Sequence, residues 1–192
     1  MIKVLAINGS PRKDANTAVL VRRLLFALEA EGIDTELLQM SGQTLRGCLA
    51  CYKCRENRNM RCSVETDLMN DYFAKMAEVQ GLVLASPTYF ADVTAEMKAL
   101  IDRAGFISRA NGHVFKGKVA AAVISARRSG AIHAFDTINH FFLDNHMVVV
   151  GAGHWNFGFT GTDGDIHEDR EGLENLDDLG RNMAWVLKKL NA

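Results

Sequence analysis

Short apolar runs alternate with stretches of helical spacing five times along this chain, and few folds accommodate that order. Residues 4–7, 33–39, 81–86, 118–125 and 147–150 read as strands. The run at 118–125 is nearly all apolar, as a central parallel strand should be, whereas 33–39 mixes Ile33, Leu37 and Leu38 with Asp34 and Glu36, as an edge strand does. From Ala18, Leu20, Leu24 and Leu28 share one helical face with Val21 and Leu25 beside them. Thr66-Asp67 is positioned to cap a helix carrying Met69, Tyr72, Phe73 and Met76. Helical spacing returns from about 95 (Met97, Leu100, Ile101, Ala104), over about 132–145, and in a final amphipathic helix bearing Leu176, Leu179, Met183, Val186, Leu187 and Leu190. The alternation predicts an α/β protein, a parallel sheet with helices on both faces, formed by one domain over 1–192.

In such sheets ligands bind at the carboxyl ends of the strands. Three loops are therefore candidates: Ser10 to Thr17, Pro87 to Phe90, and Ala126 to Gly130. The first joins a buried strand to a helix start through Asn8-Gly9-Ser10-Pro11-Arg12. Unpaired N–H groups and the positive end of a helix dipole attract a phosphate there; Ser10, Asn16 and Thr17 add hydrogen bonds and Arg12 adds charge. An ordinary turn with Asn16 or Thr17 as the cap is the alternative. The loop carries neither G-x-G-x-x-G nor G-x-x-x-x-G-K-[ST], which argues against a dinucleotide fingerprint and a triphosphatase loop. The second loop offers Tyr89 and Phe90 as stacking surface and Thr88 as a hydroxyl, the needs of a flat heteroaromatic ring; the alternative is plain packing of Tyr89 and Phe90 between strand and helix. Arg127 and Arg128 could meet a nicotinamide dinucleotide phosphate or stand in solvent.

All four cysteines, Cys48, Cys51, Cys54 and Cys62, fall inside one polar loop at 46–65. The spacing C-x2-C-x2-C-x7-C brings thiolates together in one compact loop, and Arg46, Lys53, Arg55, Arg58 and Arg61 offset their charge. Three readings stand: an iron–sulfur cluster, metal-free reactive thiols, or zinc. The six histidines are scattered in sequence and read as structural or solvated. Trp155 reads as local packing or as a cover for a neighbouring subunit's site, and the acidic run from Asp163 to Glu174 as a solvated loop and helix start.

Formal net charge is −1, so no nucleic acid partner is implied. No apolar run approaches the ~20 residues of a membrane span. A strand beginning at once at the amino terminus predicts a cytoplasmic protein.

Gly9-Ser10-Pro11-Arg12…Asn16-Thr17, followed by Ser86-Pro87-Thr88-Tyr89-Phe90…Lys98…Asp102-Arg103, resembles the NADPH-dependent FMN reductase family of flavodoxin-like proteins. Gly47-Cys48…Cys51…Cys54…Cys62…Asp67, with Asn156-Phe157-Gly158-Phe159 and Gly180 to Trp185, looks like its iron–sulfur flavoprotein branch. The resemblance implies a flavodoxin-like three-layer sandwich with a five-stranded sheet of order 2-1-3-4-5. It implies FMN, its phosphate held by Ser10, Arg12, Asn16 and Thr17 and its ring flanked by Pro87, Thr88, Tyr89, Phe90 and Ala126. It further implies NAD(P)H as electron donor, a [4Fe–4S] cluster on the four cysteines, a homodimer or homotetramer, and a quinone, flavin, other small acceptor or redox protein as partner. The expected function is an FMN-dependent NAD(P)H oxidoreductase. The alternatives are an iron–sulfur flavoprotein electron carrier without a small substrate, and a non-enzymatic ligand-sensing domain.

Overall fold

Val4 to Ile7, Leu82 to Ala85 and Ala120 to Ile124 have no exposed surface. Runs apolar on both faces can be dry only in the middle of a parallel sheet covered by helices. The computed structural model describes residues 1–161 and 164–192, and among them six strands form that sheet: β1 (Lys3–Asn8), β2 (Asp34–Gln39), β3 (Gly81–Pro87), β4 (Val119–Ala126), β5 (Val148–Val149) and β6 (Phe157–Phe159). The order is β2-β1-β3-β4-β5, with β6 also beside β4. This is the expected flavodoxin-like order, and the half-exposed β2 lies at an edge as its mixed sequence requires.

The sheet has one strand more than the five expected. Val150 N–H donates to Ala120 O at 2.9 Å, and the next bond to that side of β4 runs from Ile124 N–H to Asn156 O at 3.0 Å. Between them the chain leaves the sheet through Gly151-Ala152-Gly153 and returns as β6, opposite Ile124–Ala126. Only three residues long and centred on a glycine, β6 has no readable periodicity. That glycine is forced by packing: a Cβ on Gly158 would lie 2.7 Å from side-chain atoms of Leu20 and Ile166.

Helices α1 (Asn16–Ala30) and α6 (Arg170–Leu190) cover one face; α3 (Met69–Glu78), α4 (Ala95–Ala110) and α5 (Ala131–Asp144) cover the other. The five-residue α2 (Lys53–Asn57) sits within the cysteine loop, where the sequence suggested only a loop. Leu20, Leu24 and Leu28 meet Leu176, Leu179 and Met183 in one core. Tyr72, Phe73 and Met76 join Leu100, Ile138 and Phe142 in the other. Leu190, by contrast, is exposed.

Gly180 sets the approach of α6 to α1. A Cβ there would stand 2.5 Å from that of Ala27 and 3.2 Å from Leu24 O. Gly180→Val is expected to lower stability by about 1–3 kcal/mol despite better helix propensity than glycine, because overpacking must push two helices apart; a urea melt measures it.

Two helix starts differ from expectation. Neither Asn16 nor Thr17 caps α1; Ala15 occupies that position and makes no side-chain cap. Leu68, not Thr66 or Asp67, immediately precedes α3; Asp67 Oδ1 does accept from Met69 N–H at 3.2 Å, while its Oδ2 has another task described below. Asp169 does cap α6, accepting from Gly172 N–H at 3.0 Å and from Phe159 N–H at 2.7 Å. Asp163, the first of the acidic run, lies outside the described residues. No described helix is long and apolar enough to cross a membrane.

Candidate cofactor site

The carboxyl ends of β1, β3 and β4 share one edge of the sheet, and their loops are tied together. Thr94 Oγ1 donates to Gly9 O at 2.8 Å, joining the first loop to the start of α4. Thr94 N–H donates to Ser86 Oγ at 3.0 Å, and Thr94 Oγ1 accepts from Met97 N–H at 3.3 Å, capping α4. Thr88 N–H donates to Ser125 O at 2.8 Å, joining the second loop to the end of β4. Thr17 and Ser125 hydroxyls meet at 2.6 Å. The predicted phosphate loop and the predicted ring loop therefore border one site. Thr94 was missed as part of it, although a threonine ahead of a helical run is a readable cap.

Within the first loop, the candidates fall into two pairs. Ser10, 3% exposed, accepts from Arg12 N–H at 3.1 Å, which leaves its hydroxyl proton for another acceptor. Arg12 is exposed and, among the described residues, has no ion-pair partner. Asn16 Nδ2 instead donates to Gly164 O at 2.8 Å, and the Thr17 hydroxyl is engaged with Ser125. The loop is braced from β2, where Gln39 Nε2 donates to Ser10 O at 3.1 Å, and from the end of β1, where Asn8 Oδ1 accepts from Ser10 N–H at 3.0 Å.

In the second loop, Tyr89 N–H donates to Asp92 O at 2.8 Å and Asp92 N–H returns to Tyr89 O at 3.1 Å. Phe90 and Ala91 between them have φ of 47° and 64°, unusual for side-chain-bearing residues. Phe90 is fully exposed and Tyr89 nearly half, so neither is buried between strand and helix. This turn rests on Gly130, whose φ is +83° and where a Cβ would come 2.8 Å from Ala91 Cα. Pro87 is half-buried, Ala126 is buried, and Arg127 and Arg128 are exposed.

These features suit an FMN-like ligand. The first turn of α1 has no side-chain cap, leaving N–H groups for an anion beside Ser10 and Arg12. Thr88 Oγ1 is buried beside the ring loop and, among the described residues, has no hydrogen-bond partner.

The four free cysteines line one small cavity with Tyr52 and Phe106. A ring of thiols is the donor set a cluster uses. The space between them is about 20 Å³, room for roughly one water, so this closed arrangement does not hold a cubane. Among the described residues no three His, Cys, Asp or Glu side chains are arranged to hold a metal ion. The Ser63 hydroxyl and backbone N–H groups lower the Cys51 thiol pKa, whereas burial raises that of Cys54. The loop's anchor is a residue to which no such role had been given. Arg103, its side chain 1% exposed, pairs with Asp67 at 2.5 Å and donates to Arg46 O at 3.1 Å and Val64 O at 3.3 Å, fastening both ends of the segment. Burial alone would raise the Asp67 pKa; hydrogen bonds from Arg103 and from the Arg46 and Met69 N–H groups outweigh it and hold the carboxyl below its usual range. The cavity meets α4 at Arg103 and Phe106, about 14–18 Å along the helix from Thr94, so the thiols are not beside the loops at the carboxyl edge of the sheet in the same chain. Two histidines separated in sequence do meet: His113 stacks on His146 at 4.3 Å.

The family model for NADPH-dependent FMN reductase matches residues 2–162. An iron–sulfur flavoprotein of Methanocaldococcus jannaschii is 37% identical over 97% of this chain and 98% of its own. Among solved structures, a flavone reductase superposes with a TM-score of 0.75 at 17% identity, over 99% of this chain but 64% of that one. A flavodoxin from the Archaea superposes with a TM-score of 0.63 at 16% identity, over 97% and 99%.

Proposed function

This chain belongs to the NADPH-dependent FMN reductase family, and from that premise we propose that it is an FMN-dependent NAD(P)H oxidoreductase. Bound FMN supplies the redox chemistry, taking electrons from NAD(P)H and passing them to a quinone, a free flavin or another small acceptor. Ser10, Arg12 and the first-turn N–H groups of α1 hold the phosphate, with Asn16 and Thr17 bracing the loop. Pro87, Thr88, Tyr89 and Phe90 would flank the ring, and Ala126 and its neighbours would approach it from the loop after β4. The Thr88 hydroxyl, buried and unpartnered among the described residues, would give the ring a directed hydrogen bond. No side-chain acid or nucleophile is required of the protein, which positions the cofactor and shields it from water.

The observation that carries this reading is the lacing of the two loops at one sheet edge, through Thr94 to Gly9 and Thr88 to Ser125. Anaerobic stopped-flow mixing of the FMN-loaded protein with NADH and NADPH tests it. Rapid bleaching of the flavin band by either nucleotide is expected. A protein that fails to take up FMN overturns the cofactor, and FMN-loaded protein that neither nucleotide reduces overturns the NAD(P)H oxidoreductase.

A second reading, an iron–sulfur flavoprotein electron carrier, is favoured by the convergence of Cys48, Cys51, Cys54 and Cys62 on one cavity and by the name of the archaeal relative. It requires the exposed Cys48–Cys51 stretch to swing outward. Iron and sulfide analysis of anaerobically purified protein decides it; zero iron excludes the cluster.

A further inference from the structure

Next to the cysteine cavity, α2 and the C-terminal part of α4 border an open cleft of about 430 Å³. That volume lies within the usual range of small-molecule sites. Tyr52, Cys54 and Phe106 line both spaces. Tyr52 and Phe106 touch edge to face, with centroids 6.2 Å apart, and are 53% and 41% exposed, so both keep open ring surface.

Three arginines line the same cleft: Arg55 from α2, Arg58 just after it, and Arg109 from α4. No Asp or Glu is among the described residues that line it. Glu56, the carboxylate of α2, is taken by Lys53 at 3.2 Å. Arg55 and Arg58 have no ion-pair partner among the described residues. Arg109 has one, Asp144 at 3.5 Å, but both side chains are more than half exposed, and such a pair is worth little. Elsewhere on the surface Arg22, Arg23 and Arg181 each meet an aspartate. Three like charges on one concave surface repel one another unless an anion offsets them, and a cleft of one sign concentrates counter-ions.

We propose that this cleft binds a phosphate ester carrying a flat ring, as a nucleotide does. A guanidinium fork meets two phosphate oxygens at once and is more weakly hydrated than an ammonium. Arg55, Arg58 and Arg109 hold the phosphate, and the ring lies against Tyr52 and Phe106, whose faces accept any aromatic base. Inorganic phosphate would leave the aromatic wall wet, and an uncharged ring would leave the guanidinium groups unpaired. Arg109 is about 22 Å along α4 from Thr94, so the cleft stands apart from the loops at the carboxyl edge of the sheet, and its ligand does not depend on bound FMN.

Calorimetric titration of the full chain in excess FMN tests this, with AMP, adenosine, phenyl phosphate and inorganic phosphate as probes and flavin absorption followed in parallel. One AMP per chain is expected to bind without release of flavin. Adenosine and inorganic phosphate are each expected to bind about tenfold or more weakly. Arg55→Gln with Arg58→Gln, at two exposed positions outside either core, is expected to weaken AMP by about tenfold for each charge removed. Asp144→Asn should act in the opposite direction, tightening AMP by about two- to fivefold, because it frees Arg109. AMP binding more tightly than phenyl phosphate identifies a nucleotide; phenyl phosphate binding at least as tightly identifies a simple aryl phosphate. Absence of saturable AMP binding overturns the site, as does an affinity unchanged by the paired arginine substitutions. Inorganic phosphate as tight as AMP, or AMP uptake that expels flavin, overturns it too. So does an acidic peptide that binds through the same arginines more tightly than AMP, since the basic surface then serves a protein partner.

Discussion

Asp67→Ala is expected to destabilise the protein by about 3–5 kcal/mol, because it leaves the guanidinium of Arg103 buried without a counter-charge. For a chain of this size the melting temperature falls by roughly 10 °C or more. Both side chains are almost completely enclosed, so solvent cannot screen the loss. The effect is local as well as global. With Asp67 gone, the guanidinium no longer has reason to sit between Arg46 O and Val64 O, and the cysteine loop loses the fastening at both of its ends. Faster alkylation of Cys62 should accompany the drop in stability. Replacing both partners, as in Asp67→Leu with Arg103→Met, should recover much of the stability, since no orphaned charge remains. It should not restore slow alkylation, because the carbonyls still lack their donor. A single variant as stable as the parent would show that the pair is not the anchor described here.

Acid should reproduce part of this effect. The folded pKa of Asp67 is held below its unfolded value, so the pair's contribution is complete above the unfolded carboxylate range, near pH 4. It is lost as pH falls through the lower, folded value. The Asp67→Asn variant should therefore show a shallower loss of stability on acidification than the parent over that window.

The difference between what could be read from the sequence and what could not follows from the range of the interactions. Strands β1, β3 and β4 were legible because burial on both faces writes an uninterrupted apolar run. The helices were legible because their buried stripes recur at fixed spacing. The split edge was not. Met147 to Val150 reads as a strand, but only Val148 and Val149 are assigned to one, and Phe157-Gly158-Phe159 is too short to carry a period. Asp67 reads as part of a helix start, and its Oδ1 does meet Met69 N–H there; its ion-pair partner, Arg103, is 36 residues away and has no sign in the local sequence. The loops at the carboxyl edge were placed correctly relative to one another because strand order dictates which ends share an edge. What strand order does not dictate is which hydroxyls remain free. Thr17 and Asn16 are the obvious phosphate donors in sequence, yet both are engaged with other groups in the fold.

Ser10→Asp should weaken FMN binding by about 10²–10³-fold while leaving riboflavin binding almost unchanged. Ser10 is 3% exposed, and its N–H is already held by Asn8 Oδ1, so a carboxylate at this position cannot turn away into water. It would face the ligand's phosphate at close range. Two like unit charges 4 Å apart at an effective dielectric constant of about 20 repel by about 4 kcal/mol, and the larger charge of a phosphate offsets relaxation of the loop. Arg12, free of other carboxylates among the described residues, would swing toward the new side chain and so be lost to the phosphate as well. Riboflavin supplies the control because it carries the same ring and no phosphate: a variant with a collapsed loop would lose both ligands, whereas one that only repels the phosphate loses FMN alone. Quenching of flavin fluorescence measures both affinities in the same buffer. Raising the ionic strength should narrow the gap between the variant and the parent only slightly, since a buried pair of charges is poorly screened. Equal FMN affinity in parent and variant would place the phosphate elsewhere, and the assignment of the first loop would fall with it.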